Sequence, residues 1–464
     1  MLFKNKVYIT ILIGLLISLI LSFYYISKFD VYEISSDNIK NHHMIKGDPK
    51  KYWYNADKLG KEINDGKSFF KTGEEYEFSY LPEKIIFLFS ALAKLELMDE
   101  VGDVKVDQKK IFLLIFQSLL YYFVLLYFYN EIKKIYPNHT CLYIIAFLSF
   151  EPTLILFHSS FWTESIFFSI QIIFLTLIIK NSKKFKINFV AGIFLGILLL
   201  QRSVAMLYLF PVIIYYIFIF KGKFIKPSLF LICGYSLVVL FLGFHNFSRS
   251  EVFYVSSSQS KGGFYDYMLP SLISKKENIS VSMAKENLID EKNTWIKDNQ
   301  INFENEKDVL KYYNHLQSKS IKLIIENPFI SIKHILNKTL HYAVLDPLRH
   351  VHFFYKYEYK GEPETRYYKS KTHQNLIPYR IIYSVLFYIL CFFGLLQLIR
   401  NKNKNHVLIV ILSVLYFTLM TSWIGNTRYF APCLIYLSIF FGNGLSFFKK
   451  SVHKKNLIIF KFNF

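Results

Sequence analysis

Long apolar runs dominate this chain and restrict what it can fold into. About 20 apolar residues cross the hydrocarbon of a bilayer as an α-helix, and a helix satisfies all of its own backbone hydrogen bonds there. The fold class we predict is therefore an all-α polytopic membrane protein with about ten transmembrane helices. The predicted spans are residues 7–27, 111–130, 140–157, 161–179, 188–200, 204–220, 227–245, 379–399, 407–423 and 429–447.

Lysine and arginine residues cluster in the short connections after every second predicted span. The formal net charge of +21 would suggest a nucleic-acid partner for a soluble protein. Here the positive-inside rule explains the excess of positive charge, so we expect no nucleic-acid partner. The rule places the basic connections and both termini in the cytoplasm. The short tails and compact loops favour a plasma membrane. The first apolar run is long for a signal peptide and lacks a cleavage site, so we predict a retained helix.

The region 188–220 is too long for one crossing, because a single helix would extend about 50 Å at about 1.5 Å per residue. We predict two helices, with the tip at Gln201-Arg202-Ser203. The whole chain then divides into an N-terminal transmembrane module (1–245), an extracytoplasmic helical subdomain (246–380) and C-terminal transmembrane helices with a basic cytoplasmic tail (381–464). The first module contains a large extracytoplasmic loop, 28–110, whose segment 80–98 we interpret as an amphipathic helix on the membrane.

Six ionisable residues converge on the side of this topology opposite the lysines. Such groups near a bilayer are costly and are usually kept for a task. They are Asp48, Glu164, Arg202, Asp266, Asp346 and Arg428. We interpret Asp266 and Asp346 as ordinary loop acids.

The remaining acids are candidate catalytic residues. Asp48 comes about 20 residues after the first span, close to the bilayer. A carboxylate there can act as general base on an acceptor; the alternative is a solvated loop acid or a turn former before Pro49. Glu164 opens a predicted span. It could orient an acceptor, hold a cation or pair with an arginine, or it could simply be an acid favoured by the helix macrodipole.

Two arginines at the outer ends of different helices suit a phosphate. Arg202 and Arg428 could grip one bidentately, and Lys84 could also reach a lipid phosphate. The alternatives are snorkelling, ordinary headgroup contact, or pairing with an acid such as Glu164. His158 is either a ligand or a satisfied interfacial histidine.

A series of short motifs follows one another along the chain: Gly47-Asp48, Tyr52, Ala56-Asp57, Thr163-Glu164, Gln201-Arg202 with Pro211, the loop 246–263, Asn327-Pro328, and Arg428-Tyr429 with Pro432. Together and in this order they resemble the GT-C superfamily of integral-membrane glycosyltransferases, in particular its protein-mannosyltransferase and aminoarabinose-transferase branch. The chain departs from many members in having Pro49 after Asp48 and Leu81-Pro82-Glu83 before Lys84.

The resemblance implies inverting transfer of a sugar from a polyprenyl-phosphate donor to an extracytoplasmic glycan, lipid or protein acceptor. Asp48 and Glu164 would be catalytic, while Arg202, Arg428 and Lys84 would bind the donor phosphate. Tyr52, His158 and Tyr429 would line the substrate site. No cofactor is certain, no metal ligand is assigned, and a divalent cation stays open because only some relatives use one.

Two other functions also fit the residues. A polysaccharide polymerase or ligase with a diphosphate-linked donor also places arginines and a large loop outside. A transporter should show inverted repeats and acids in the middle of its helices, and neither is obvious in this chain. Replacing Asp48 with Asn should abolish activity only in the glycosyltransferase.

Overall fold

The computed structural model describes residues 2–34, 65–66, 108–160, 162–180, 184–255, 259–303, 305–340, 371–401, 403–421 and 427–461. These residues contain α-helices and two short 3-10 helices, with no strand among them, so the predicted all-α class is confirmed. The α-helices are α1 (Leu2–Ile34), α2 (Gln108–Ile132), α3 (Asn138–Phe150), α4 (Pro152–His158), α5 (Glu164–Ile179), α6 (Phe185–Gln201), α7 (Leu209–Phe220), α8 (Ile225–Ser250), α9 (Gln259–Tyr267), α10 (Leu269–Glu277), α11 (Val281–Asp298), α12 (Glu306–Glu326), α13 (Pro328–Leu340), α14 (Lys371–Arg400), α15 (Lys404–Thr421) and α16 (Thr427–Lys461).

The described helices make this a multi-pass membrane protein. Six of them are long and apolar enough to cross a membrane. A seventh crossing is formed if α3 and α4, which are bent by 55° at their junction, make one broken span. The other three predicted spans appear as shorter apolar helices, namely α5, α6 and α15. All ten predicted runs are therefore helical, although three are shorter than a full crossing.

The basic connections meet at one end of the helix bundle. Lys180 pairs with Glu131, N to O 3.2 Å, which joins the connection after α5 to that after α2. Lys226, at the start of α8, lies over the ring of Phe185 at the start of α6. The Tyr136 hydroxyl, in the connection after α2, forms a hydrogen bond with His406 Nδ1 near the start of α15. This shared end agrees with the charge pattern, and its assignment to the cytoplasm stays a prediction.

The predicted break within 188–220 is confirmed, because α6 ends at Gln201 and α7 begins at Leu209. The two helices then separate: α6 packs along α5 and α8, and α7 packs along α15. Helices α6 and α8 run parallel, since the rings of Phe185 and Phe230 stack at one end and Gly196 meets Val238 further along. Because α6 and α8 run in the same direction, the segment between them, which contains α7, must run back along the bundle. This agrees with the prediction of two separate spans within 188–220.

Glycines allow two of these helix pairs to approach closely. A Cβ at Gly192 would lie 2.0 Å from the Leu231 carbonyl oxygen on α8. A Cβ at Gly394 would lie 1.7 Å from the Phe440 carbonyl oxygen, at the crossing of α14 and α16. Small residues are the usual means of close helix contact in membranes, where burial from water provides no driving force.

Helices α9 to α13 form a small subdomain with its own apolar core, within the region 246–380. Ser280 caps α11 by accepting from the Met283 N–H at 3.1 Å, and Asn305 caps α12 by accepting from the Lys307 N–H at 2.9 Å. Such caps satisfy backbone donors at helix starts. The buried core residues are Tyr265, Met268, Leu269, Leu272, Leu288, Tyr312 and Leu316.

Candidate functional site

A buried ion pair lies at the end of the bundle opposite the basic connections. Glu164 begins α5, Arg202 follows the last residue of α6, and Arg202 Nη1 contacts Glu164 Oε1. The side chain of Glu164 is 0% exposed and that of Arg202 is 11% exposed. Of the alternatives open for Glu164, pairing with an arginine is the one the structure shows. The pair is electrically neutral as a unit, which makes burial of both charges tolerable.

Neighbouring hydrogen bonds hold Glu164 and Arg202 in position. The amide of Gln201 donates to the carbonyl oxygen of Thr163 at 2.9 Å, which ties the end of α6 to the start of α5. The Thr163 hydroxyl donates to Glu164 Oε2 at 3.2 Å. Glu164 also lies in the first turn of its helix, where the helix dipole favours a negative charge. These contacts fix the direction in which the carboxylate meets Arg202.

The backbone turn after Arg202 is held from α15. Arg202 has an extended conformation, with φ −153° and ψ 126°, and this ends α6. Directly beyond it, the Tyr416 hydroxyl donates to the Val204 carbonyl at 2.6 Å and accepts from the Leu207 N–H at 3.1 Å. One hydroxyl therefore bonds to two backbone groups of a segment whose own hydrogen bonds are those of a short 3-10 turn. Tyr416 is a residue that the sequence reasoning did not select.

The other predicted arginine begins a helix at the same end. Arg428 and Tyr429 lie in the first turn of α16, and nothing is described of their side chains. One hydrogen bond indicates the level of this turn along α5. Gln171 lies two turns into α5, and its amide donates to the Pro432 carbonyl at 3.0 Å. With about 1.5 Å of rise per residue, the start of α16 lies within about one helical turn of the level of Glu164.

His158 lies inside the bundle, close to this end. Its side chain is fully buried, with Nδ1 3.0 Å from the Ser165 hydroxyl and its ring against that of Tyr121 at 3.5 Å between centroids. Its carbonyl oxygen accepts from the Gln117 amide at 2.7 Å. Its Nε2 is buried and makes no hydrogen bond with the described residues, and its role in lining a substrate site stays a prediction.

The remaining predicted site residues are placed elsewhere or not described. Asp48, Tyr52, Lys84 and Asp346 lie outside the described residues, as does the predicted amphipathic helix 80–98. Asp266 lies on α9 in the subdomain, where it faces Lys292 and Lys285. The residues that the structure does bring together are therefore Glu164 and Arg202.

Metal binding receives no support from the described part of the chain. No group of three or more His, Cys, Asp or Glu side chains there could hold a metal ion. Glu164, the described acid that the sequence offered as a cation ligand, is instead engaged with Arg202. A divalent cation that involves Asp48 stays a prediction.

One buried acid within a predicted span was missed by the sequence reasoning. Glu151 lies at the bend between α3 and α4, is almost fully buried and accepts from the Leu154 N–H at 2.8 Å as the cap of α4. The Tyr383 hydroxyl on α14 donates to its other oxygen at 3.3 Å. An acid followed by Pro152 is the usual start of a helix, and this signal could have identified the break.

The fold is similar to that of an archaeal enzyme. The oligosaccharyltransferase AglB from Archaeoglobus fulgidus, solved in complex with an inhibitory peptide and a dolichol-phosphate, superimposes with a TM-score of 0.51 and 10% sequence identity. The match covers 98% of this chain and 52% of the AglB chain, so this chain spans about half the length of that protein. The apo form of the A. fulgidus oligosaccharyltransferase gives a TM-score of 0.49, 10% identity, and coverage of 97% and 51%.

Sequence comparisons add no relative, since no family model and no curated protein matches the chain. The described fold is thus similar to that of AglB, and the chain is a multi-pass membrane protein.

Proposed function

We propose that this protein is an inverting glycosyltransferase that moves a sugar from a polyprenyl phosphate to an acceptor at the end of the bundle opposite its basic connections. The observation on which this rests is the buried Glu164–Arg202 pair at that end, within a fold similar to that of AglB. The dolichol-phosphate and the peptide bound to AglB make a lipid-linked donor and a protein acceptor reasonable candidates here.

In this proposal Asp48 is the general base. It takes the proton from the acceptor hydroxyl or amine while the acceptor attacks the anomeric carbon. The bond between that carbon and the phosphate oxygen breaks with inversion, and free polyprenyl phosphate leaves with the bonding electrons. Negative charge grows on the phosphate as the bond breaks, so a cation fixed beside it lowers the barrier.

Arg202 is the cation that the described residues offer for this task. A guanidinium has five N–H donors in a fixed plane and can bind a carboxylate with one edge and a phosphate with another. Glu164 would then position Arg202 rather than react itself. Arg428, in the first turn of α16, and Lys84 would complete the phosphate site.

The experiment is release of free polyprenyl phosphate by purified protein, with a panel of polyprenyl-phosphate sugars and a cell-envelope extract as acceptor. We expect release by the wild type, none by Asp48→Asn, and a large loss in Arg202→Gln. Lys134→Gln is the matched control, because Lys134 is an exposed cation at the opposite end. Equal release by wild type and Asp48→Asn would remove the base from the mechanism.

The same assay separates the competing functions. Release only from diphosphate-linked donors would favour a polymerase or ligase. Uptake of a lipid-linked sugar without cleavage would favour a transporter.

A further inference from the structure

The helix α13 presents an apolar stripe to its surroundings. At about 100° per residue, the four exposed large apolar side chains of α13 fall within an arc of about 80° on one face. The opposite face is buried in the subdomain through Ser331 and His334. The exposed fractions of the stripe are 86% for Phe329, 55% for Ile332, 62% for Leu336 and 58% for Leu340.

The stripe continues onto the preceding helix. Ile325, in the last turn of α12, is 70% exposed, and Ile321 one turn earlier is also exposed. So many exposed apolar side chains on two consecutive helices are unusual on a water-exposed domain and indicate a binding surface. The subdomain does not need these side chains for its own core, which lies among other residues.

Charge and chain connection indicate a lipid surface as the occupant. Lys333 lies exposed beside the stripe, and a cation bordering an apolar helix face is the arrangement by which interfacial helices bind lipid phosphates. The subdomain is also tied to the bilayer at both ends, because α8 enters it from one span and α14 leaves after it for another.

We propose that the α12–α13 stripe, residues 321 to 340, lies in the headgroup region of the membrane and anchors the subdomain there. This anchoring is separate from the proposed transferase activity and stands whether or not the protein transfers a sugar. It fixes the height of the subdomain above the bilayer, which a chain entering and leaving through two spans would not fix by itself.

The test uses single copies of the full chain in nanodiscs of phosphatidylcholine with phosphatidylglycerol. Leu336→Cys carries an environment-sensitive fluorophore, and Asn287→Cys on the exposed face of α11 is the matched control. Cys233, the exposed native cysteine, is replaced by Ser in both. Quenching is measured with lipids that bear a nitroxide near the headgroup and, separately, with aqueous iodide.

We expect the lipid nitroxide to quench the label at 336 several-fold more than the label at 287, and iodide to show the reverse order. Ile332→Cys should behave as 336 does, which guards against a local defect in one variant. Lys333→Gln should weaken the lipid quenching when the anionic lipid is present and have little effect in phosphatidylcholine alone.

Equal iodide quenching at 336 and 287 would place the stripe in water and overturn the proposal. Protection of 336 from both quenchers would mean that protein covers the stripe, and this would overturn it as well. Single-copy discs exclude a second chain as that cover.

Discussion

Replacement of Glu164 by Gln tests the buried ion pair most directly. The substitution keeps the size and the hydrogen-bonding ability of the side chain but removes its charge. It leaves the guanidinium of Arg202, which is 11% exposed, without its counter-charge. Removing one partner of a buried pair costs about 3–5 kcal/mol, because the remaining charge is left in a poorly solvated site.

The expected loss for this chain is smaller. Arg202 retains some exposure, and a glutamine oxygen can still accept from it, so we expect Glu164→Gln to cost about 2–3 kcal/mol. Arg202→Gln should cost a similar amount, since it leaves a fully buried carboxylate. The double variant removes both charges, and its loss should be well below the sum of the two, with a coupling energy of about 1–3 kcal/mol.

Thermal unfolding in detergent, followed by a thiol-reactive dye, measures these losses. Cys141, Cys391 and Cys433 are buried, so they react only on unfolding, and Cys233 is replaced by Ser. Lys134→Gln should change the midpoint little, because exposed ion pairs contribute at most about 1 kcal/mol.

Additive losses in the two single variants, with coupling below about 0.5 kcal/mol, would refute the pairing. Activity of the double variant then separates the two roles of Arg202. If the arginine serves only stability, the double variant recovers both stability and turnover. If it binds the donor phosphate, the double variant is stable and inactive.

Three further predictions concern the supporting structure. Gly394→Ala places a Cβ 1.7 Å from a backbone oxygen and should cost at least about 1–3 kcal/mol in the same thiol assay, whereas Gly222→Ala, which meets nothing within 4 Å, should be nearly neutral. Tyr416→Phe removes the hydroxyl that bridges the turn after Arg202 and should cost about 1–3 kcal/mol; turnover should fall as well, and unchanged stability and turnover would show that this turn needs no support. Burial, and then the nearby Lys319, lowers the pKa of His315 in the subdomain, so the unfolded chain binds more protons and the subdomain should lose stability as the pH falls through about 6.5. The Trp295 fluorescence, from the ring stacked on His315 at 4.2 Å, reports this, and His315→Gln should remove that part of the pH dependence.

The order of the apolar helices could be predicted from the sequence because charge and hydropathy act locally. Lysine clusters such as Lys183 and Lys184 divide the apolar runs, and the excessive length of 188–220 placed a break at Arg202. The partner of Arg202 was named only as one alternative, because two residues on different helices meet through packing that no local pattern records. Tyr416 was missed for the same reason: its hydroxyl serves a turn 212 positions away in sequence.

Glu151 shows a different limit. Hydropathy averages over a window, so one acid within the run 140–157 did not interrupt the predicted span. The structure resolves it as a cap at a 55° bend. An acid-proline pair in an apolar run is therefore better treated as a possible helix start than as a tolerated charge.

The pairing of Arg202 with Glu164 affects how the proposed enzyme would use this arginine. A donor phosphodiester carries one negative charge, and the departing phosphate gains a second as the bond breaks. Only interactions that strengthen in the transition state raise the turnover number. An arginine already paired with Glu164 gives weak attraction to the donor in the ground state while staying fixed in position for the charge that develops.

This reasoning predicts that Glu164→Gln lowers both kinetic constants, provided that the proposed transfer reaction holds. The unpaired guanidinium should attract the donor more strongly, so KM for the donor should fall. The same residue, no longer held by a carboxylate, should be less well placed, so kcat should fall too. Steady-state release of polyprenyl phosphate over a range of donor concentrations measures both. A higher KM with unchanged kcat would mean that Glu164 contacts the donor itself rather than acting through Arg202.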